Sequence, residues 1–182
     1  MSSGMLPRCL SHLSGSGISL CHSTLATASG IHGFRCPAEI SLHDLAFTVV
    51  YHSDDRYGIL VLPADRIIEF WAALDFGQVR KLMGLRQIRM ASERELTTLF
   101  PECEIGAAPP FGNFFDMPVL LEQDLAVKQF ITFTIGTPCD VARMNTADFQ
   151  VLVKPVVGSF SSRLSPSRAL HATRAWNSAS VA

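Results

Sequence analysis

Leu45-Ala46-Phe47-Thr48-Val49-Val50-Tyr51-His52, then Ser53-Asp54-Asp55-Arg56, then Tyr57-Gly58-Ile59-Leu60-Val61-Leu62 is the stretch that decides the fold class. Two apolar runs rich in β-branched residues, separated by a short polar turn, predict a β-hairpin. The second run is apolar almost throughout, which predicts a strand covered on both faces near the centre of a sheet.

Working outward, Pro63 and Asp65 open a predicted helix to Phe76, with Ile67, Ile68, Trp71 and Leu74 on one stripe and Trp71 read as core. A short helix over 79–83 ends at Gly84, and 87–90 returns to the sheet. Ser92 and Glu95 form a capping box for a helix that carries Leu96, Leu99 and Phe100 until Pro101 interrupts it. Strands follow over 118–121, 129–135 and 140–144, with a turn at 136–138. Thr146 caps a last helix reaching Val153. Strands joined by tight turns and interrupted by helical pairs give an α+β fold: one domain with a mixed, curved β-sheet flanked by helices.

A chain of 182 residues suits one domain with a real core. No apolar run approaches the ~20 residues that cross a bilayer, so no membrane partner is expected. A net charge of −1 argues against a protein that coats long nucleic acid, while a local basic face can still hold one end of an RNA. Cys9, Cys21, Cys36, Cys103 and Cys139 form no Cys-x-x-Cys pair, which fits a reducing, cytoplasmic home better than a disulfide framework. Cys21, His22, His32 and Cys36 lack paired ligand spacing, so neither a metal nor a cofactor is expected.

The ends differ from the middle. Met1 to Ala38 contains no acidic residue and is rich in serine and glycine, and the tail is again acid-free. Residues 1–17 are read as a weakly ordered leader, with organelle targeting left open; 18–160 as the working domain; and 161–182 as a disordered tail.

Gly106-Ala107-Ala108-Pro109-Pro110-Phe111-Gly112 places two glycines and two prolines in one segment. Prolines fix φ and remove donors, while glycines let backbone approach a ligand closely. Such a loop is either a rigid connector or the wall of a preformed pocket. There is no Gly-x-Ser-x-Gly elbow, P-loop or strand-linked Gly-x-Gly-x-x-Gly. Cys103 and Cys139 lack the adjacent basic residues that activate a thiol and are read as structural.

Taken in order, Leu62-Pro63-Ala64, Met90-Ala91-Ser92-Glu93, Phe100-Pro101-Glu102-Cys103-Glu104-Ile105-Gly106, Pro109-Pro110-Phe111-Gly112, Phe133-Thr134-Ile135-Gly136-Thr137 and Asp148-Phe149 resemble the YbaK/prolyl-tRNA synthetase editing-domain family over about 18–160. The resemblance implies an aminoacyl-tRNA deacylase that acts in trans on the 3′ end of mischarged tRNA, and a synthetase as a further partner. It implies that Gly136 and Thr137 approach the ester. Phe47, Thr48, Gly106, Pro110, Phe111 and Gly112 would line the substrate site, and Asp148 would support it. On the residues alone, Gly136 also reads as a turn glycine, Phe111 as a core aromatic and Asp148 as a first-turn helix acid.

Two positions depart from the pattern. Phe47 stands where relatives carry lysine, and Pro138 follows Gly136-Thr137 where they often carry histidine. Phenylalanine offers no donor to a phosphate or ribose oxygen. Arg56 and Arg143 are the candidate replacements, since Lys81, Lys128 and Lys154 all lie outside that strand. The alternative to the enzyme is a module that binds a tRNA end or a synthetase without turnover. Arg80, Lys81, Arg86, Arg89 and Arg94 read either as a basic face for tRNA or as a solvated surface.

Overall fold

The computed structural model describes residues 21–24, 27–28, 36–37, 40–54, 56–69 and 74–162. The leader at 1–17, Cys9, His32, Trp71, the tail beyond 162, and the side chains of Cys21, His22, Cys36, Ile67 and Ile68 lie outside what is described. In chain order the strands and α-helices are β1 (Cys21–Thr24), β2 (Thr27–Ala28), β3 (Cys36–Pro37), β4 (Leu45–Ser53), β5 (Arg56–Pro63), α1 (Phe76–Met83), β6 (Arg89–Met90), α2 (Glu93–Leu99), β7 (Val119–Glu122), α3 (Gln123–Ala126), β8 (Phe130–Ile135), β9 (Thr137–Asn145), α4 (Thr146–Val153) and β10 (Val156–Gly158). Short 3₁₀ segments run over Ala64–Glu69 and Gly112–Phe114.

β4 and β5 pair antiparallel from Ala46 opposite Pro63 to Ser53 opposite Arg56, so the polar turn makes the expected hairpin. β5 lies inside the sheet order β1-β9-β8-β4-β5-β7-β10, and Ile59 to Leu62 are fully buried. The sheet is mixed: β4 runs parallel to β8, and β5 and β10 run parallel to β7, while the other pairs are antiparallel. Side chains alternate across β4. Ala46 and Val50 join Phe111, Phe133 and Phe149 on one face; Leu45, Phe47, Val49 and Tyr51 join Leu62, Val79 and Phe160 on the other.

Several local expectations hold for chemical reasons. Gly84 ends α1 at φ 66°, and its N–H reaches the Arg80 carbonyl. Ser92 and Glu95 form both halves of the capping box. Glu95 also accepts from Tyr57 Oη at 2.6 Å and from both terminal nitrogens of Arg89 at 2.8 and 2.7 Å. One carboxylate thus ties α2 to β5 and β6.

Others are corrected. The helix expected from Pro63 to Phe76 is a 3₁₀ segment ending at Glu69, followed by a separate helix that starts at Phe76. Asp75 makes the new start by accepting from Gln78 N–H at 3.0 Å, just after Leu74 bridges to Ser161. The last helix is capped by Asn145, whose side chain accepts from Ala147 N–H at 2.9 Å. Thr146 is instead buried, its hydroxyl without a partner. The turn at 136–138 is tighter than expected, since β9 already begins at Thr137.

Residues near the C-terminal end of the described fold are fastened to β7. Glu122, 1% exposed, accepts from Phe160 N–H, Ser161 N–H and Ser161 Oγ at 3.1, 2.8 and 2.6 Å. Arg66, itself buried, donates to the Ser161 carbonyl at 2.8 Å and also pairs with Asp124. Among the described residues, no helix is long and apolar enough to cross a membrane.

Candidate functional site

The sheet splits along one edge of β4. β8 pairs with it only at Leu45 and Ala46, and β6 takes over at Tyr51 and His52. Between these partners, among the described residues, Ala91 N–H donates to the Val50 carbonyl at 3.0 Å. The β4–β8 pairing thus ends near the C-terminal end of β8, and the C-terminal ends of strands in open sheets are where ligands commonly bind.

Gly136 closes that end, and the backbone joins it to the proline-rich loop. Glu104 N–H donates to the Gly136 carbonyl at 2.7 Å, and Gly136 N–H donates to the Ala107 carbonyl at 2.9 Å. Gly106 and Gly136 have φ of 87° and 80°, in the left-handed region where a Cβ is strained. Both backbone groups of Gly136 are therefore spent on the loop. Gly136 is itself buried, so its N–H is not a donor left over for a ligand.

Gly106 is half-buried, whereas Ala107 to Gly112, Pro110 included, are buried. Phe111 is fully buried, its ring 5.1 Å from that of Phe133 and 5.9 Å from that of Phe149. It holds the wall from behind. A Cβ on Gly112 would stand 2.3 Å from the Met117 carbonyl oxygen, so internal packing alone accounts for that glycine.

β8 and β9 lose register after Thr134. Thr134 faces Val141 but Ile135 faces Thr137, which leaves 138–140 bulged out. Thr137 closes the bulge: its Oγ1 accepts from Asp140 N–H at 3.1 Å and donates to Asp140 Oδ2 at 2.6 Å. Both residues are half-buried. Asp140 escaped the sequence reading, although Thr-x-x-Asp directly after a turn glycine has the spacing of such a side-chain-closed turn.

Ala46 and Phe133 are the last registered pair of β4 and β8, so Phe47 and Thr134 follow side by side on the opposite face from Phe111. Each is 7% exposed. Thr48, also 7% exposed, alternates back to the Phe111 face. Neither candidate arginine replaces the missing cation. Arg56 pairs with Ser53, six residues along β4 from Phe47, which is about 20 Å at strand rise. Arg143 lies with its guanidinium 4.3 Å from the centre of the Phe130 ring.

Asp148 is exposed in the first turn of α4, with no hydrogen bond or ion pair to the loop or the turn. His22 lies opposite Ala142 in the β1–β9 ladder. Arg80, Lys81, Arg86, Arg89 and Arg94 are all exposed on α1, β6, α2 and the link between them, along the β6 side of the split. Arg89 is committed to Glu95. Among the described residues, no group of three or more His, Cys, Asp or Glu is placed to hold a metal ion.

Comparisons with known proteins bear on the family and the fold. Residues 27–152 match the sequence profile described as "Aminoacyl-tRNA editing domain". No curated protein matches the chain. Among solved structures, a candidate trans-editing enzyme for prolyl tRNA synthetase superposes with a TM-score of 0.68 at 19% identity, covering 86% of this chain and 96% of its own. A structure from work on epitope backbone grafting onto scaffold proteins gives 0.69 at 17% identity, with coverage of 86% and 96%. A candidate signal transduction protein from Marinobacter aquaeolei VT8 gives 0.66 at 16% identity over 87% of this chain and 31% of its own. At these identities the likeness is one of fold.

Proposed function

The chain belongs to the aminoacyl-tRNA editing domain family, and from that premise we propose that it is a deacylase acting in trans on the 3′ end of mischarged tRNA in the cytoplasm. The observation that carries this reading is the backbone clamp between Gly136 and the loop at 104–107. It holds a rigid, Cβ-free corner at the end of β8, the close approach an esterified ribose requires. A structural neighbour described as a candidate trans-editing enzyme supports it.

The reaction adds a water oxygen to the ester carbonyl carbon and expels the ribose oxygen, which takes up a proton. The amino acid leaves as its carboxylate, with one proton released to solvent. An aminoacyl ester is already activated, so positioning supplies much of the acceleration. Gly136 and Thr137 face the ester in this scheme, and Gly106 borders it. Pro110, Phe111 and Gly112 keep the wall stiff from behind. Arg80, Lys81, Arg86 and Arg94 receive acceptor-stem phosphates, and a synthetase is the natural source of the mischarged tRNA.

Phe47 favours a second reading. It is buried and brings no charge to the corner, which suits a module that retains tRNA without turnover. A panel of tRNAs charged with each proteinogenic amino acid separates the two. Deacylation of at least one member, reduced in Gly136→Ala, is the expected result; retention of tRNA with no hydrolysis of any member overturns the enzyme reading.

A further inference from the structure

Charge is divided unevenly along the chain. Residues 39–162 hold all sixteen Asp and Glu but only ten of the fifteen Lys and Arg, so that stretch is net acidic by six. The other five cations are Arg8, Arg35, Arg163, Arg168 and Arg174, and 163–182 carries three of them with no acid. Within the acidic stretch several cations are already spent: Arg66 on Glu122 and Asp124, Arg89 on Glu95, Lys128 on Asp44, and Arg143 over the Phe130 ring. The exposed arc of Arg80, Lys81, Arg86 and Arg94 therefore sits in a stretch whose overall charge repels phosphate.

The fold fixes where 163–182 begins. Phe160 and Ser161 are held by Glu122 and Arg66. Asp75 N–H donates to the Phe160 carbonyl at 2.8 Å, Leu74 bridges to Ser161, and Ser162 is exposed. Asp75 is also the cap of α1, so the basic segment starts at the N-terminal end of the helix whose last turn carries Arg80 and Lys81. An eight-residue helix is about 12 Å long, a distance that a few residues of chain cover at ~3.3 Å each. The segment and the arc are thus placed to meet one polyanion.

The composition favours RNA over a lipid surface. Leu164, Leu170 and Trp176 are six residues apart, a spacing that spreads them around a helix instead of gathering them on one face, so the apolar stripe of a lipid-surface helix is missing. Single arginines among Ser, Ala and Thr, with Trp176 two residues from Arg174, suit a phosphate backbone that ends in unpaired bases. Resting on the tRNA-deacylase reading, we infer that 163–182 is an RNA-binding arm: Arg163, Arg168 and Arg174 take acceptor-stem phosphates beyond those met by the arc and supply affinity that the acidic stretch lacks. The contact is electrostatic and independent of base sequence, and no bond is made or broken in it.

The probe is an uncharged acceptor-stem RNA hairpin ending in CCA, bound on filters across a salt series by the full chain and by a chain stopped after Ser162, which keeps the anchors at Phe160 and Ser161. Truncation is expected to weaken binding about tenfold or more at low salt and to lower the slope of log K against log salt by about 2–3, one unit or slightly less for each lost phosphate contact. The full chain carrying Arg163→Ser, Arg168→Ser and Arg174→Ser should behave like the truncated one, and the matching triple Lys variant should bind like the wild type. Thermal unfolding of each variant separates loss of fold from loss of the arm, and the triple Ser variant carries the test if the truncated chain fails to fold. With a charged tRNA that the protein hydrolyses, truncation should raise KM and leave kcat unchanged. Unchanged affinity and slope in the triple Ser variant overturn the inference. So does arm-dependent binding to phosphatidylserine vesicles in place of the hairpin. Arm-dependent hairpin binding with no turnover of any charged tRNA supports the inference and overturns only the deacylase reading.

Discussion

The ring of Tyr51 lies across Gly58, its partner in the β4–β5 ladder, so closely that a Cβ at position 58 would stand 2.3 Å from Cζ and Oη. The glycine in the central strand is there to admit the tyrosine. Gly58→Ala must push the ring out of a fully packed layer, and overpacking of this kind costs about 1–3 kcal/mol. Urea unfolding should show that loss, and Gly58→Ala combined with Tyr51→Leu should recover most of it. An alanine variant as stable as the wild type would show that the ring moves freely.

Phe47 packs with Leu62 and its neighbours on the α1 face of the sheet. Phe47→Lys would place an ammonium where the described neighbours are apolar, which costs on the order of 3–5 kcal/mol. Phe47→Leu should cost much less. Parallel denaturant titrations of the two variants check this; equal stability would mean that a partner is at hand for the cation.

Arg89, Tyr57 and Ser92 hold the Glu95 carboxyl well below its ordinary value of 4.5, with the Arg89 hydrogen bonds the largest cause. A group depressed on folding stabilises above its unfolded value and loses that contribution as pH falls. The gap in Tm between wild type and Glu95→Gln should therefore be full near pH 7 and shrink progressively below about pH 4.5. The same carboxylate raises the Tyr57 phenol above its ordinary 10.0, chiefly through their hydrogen bond, so that this stabilisation persists below pH 10 and is lost as pH climbs further. A gap that stays constant on acidification would show that the network is absent in solution.

For the basic arc, charge reversal at Arg80, Lys81, Arg86 or Arg94 should weaken tRNA binding regardless of the attached amino acid. Each removed phosphate contact should lower the slope of log K against log salt by about one. Filter binding across a salt series reads this directly; an unchanged slope in all four variants would mean that the arc does not meet the tRNA.

The parts of the fold legible in the sequence are those set by chemistry within a few residues: the hairpin turn, the Gly84 stop, and the Ser92–Glu95 cap. β1 and β10 were missed because they are short and gain their identity from distant partners, β9 and β7. The long helix after Pro63 was over-read because a shared apolar stripe hides the restart at Asp75. At the site, the loop and turn glycines stood out by composition. That the Gly136 amide is consumed by Ala107, and that Phe111 packs in the core against Phe133, depends on contacts between segments some 25 residues apart, which no local pattern encodes.

The carboxylate of Glu122 draws three donors from Phe160 and Ser161. During translation β7 is made well before them, and a nascent chain carries that acid bare of these donors until Ser161 has been added. A premature stop codon between the two would leave this buried carboxylate its ion pair with Arg66 but take away three of its donors, so the shortened chain would be the less stable one.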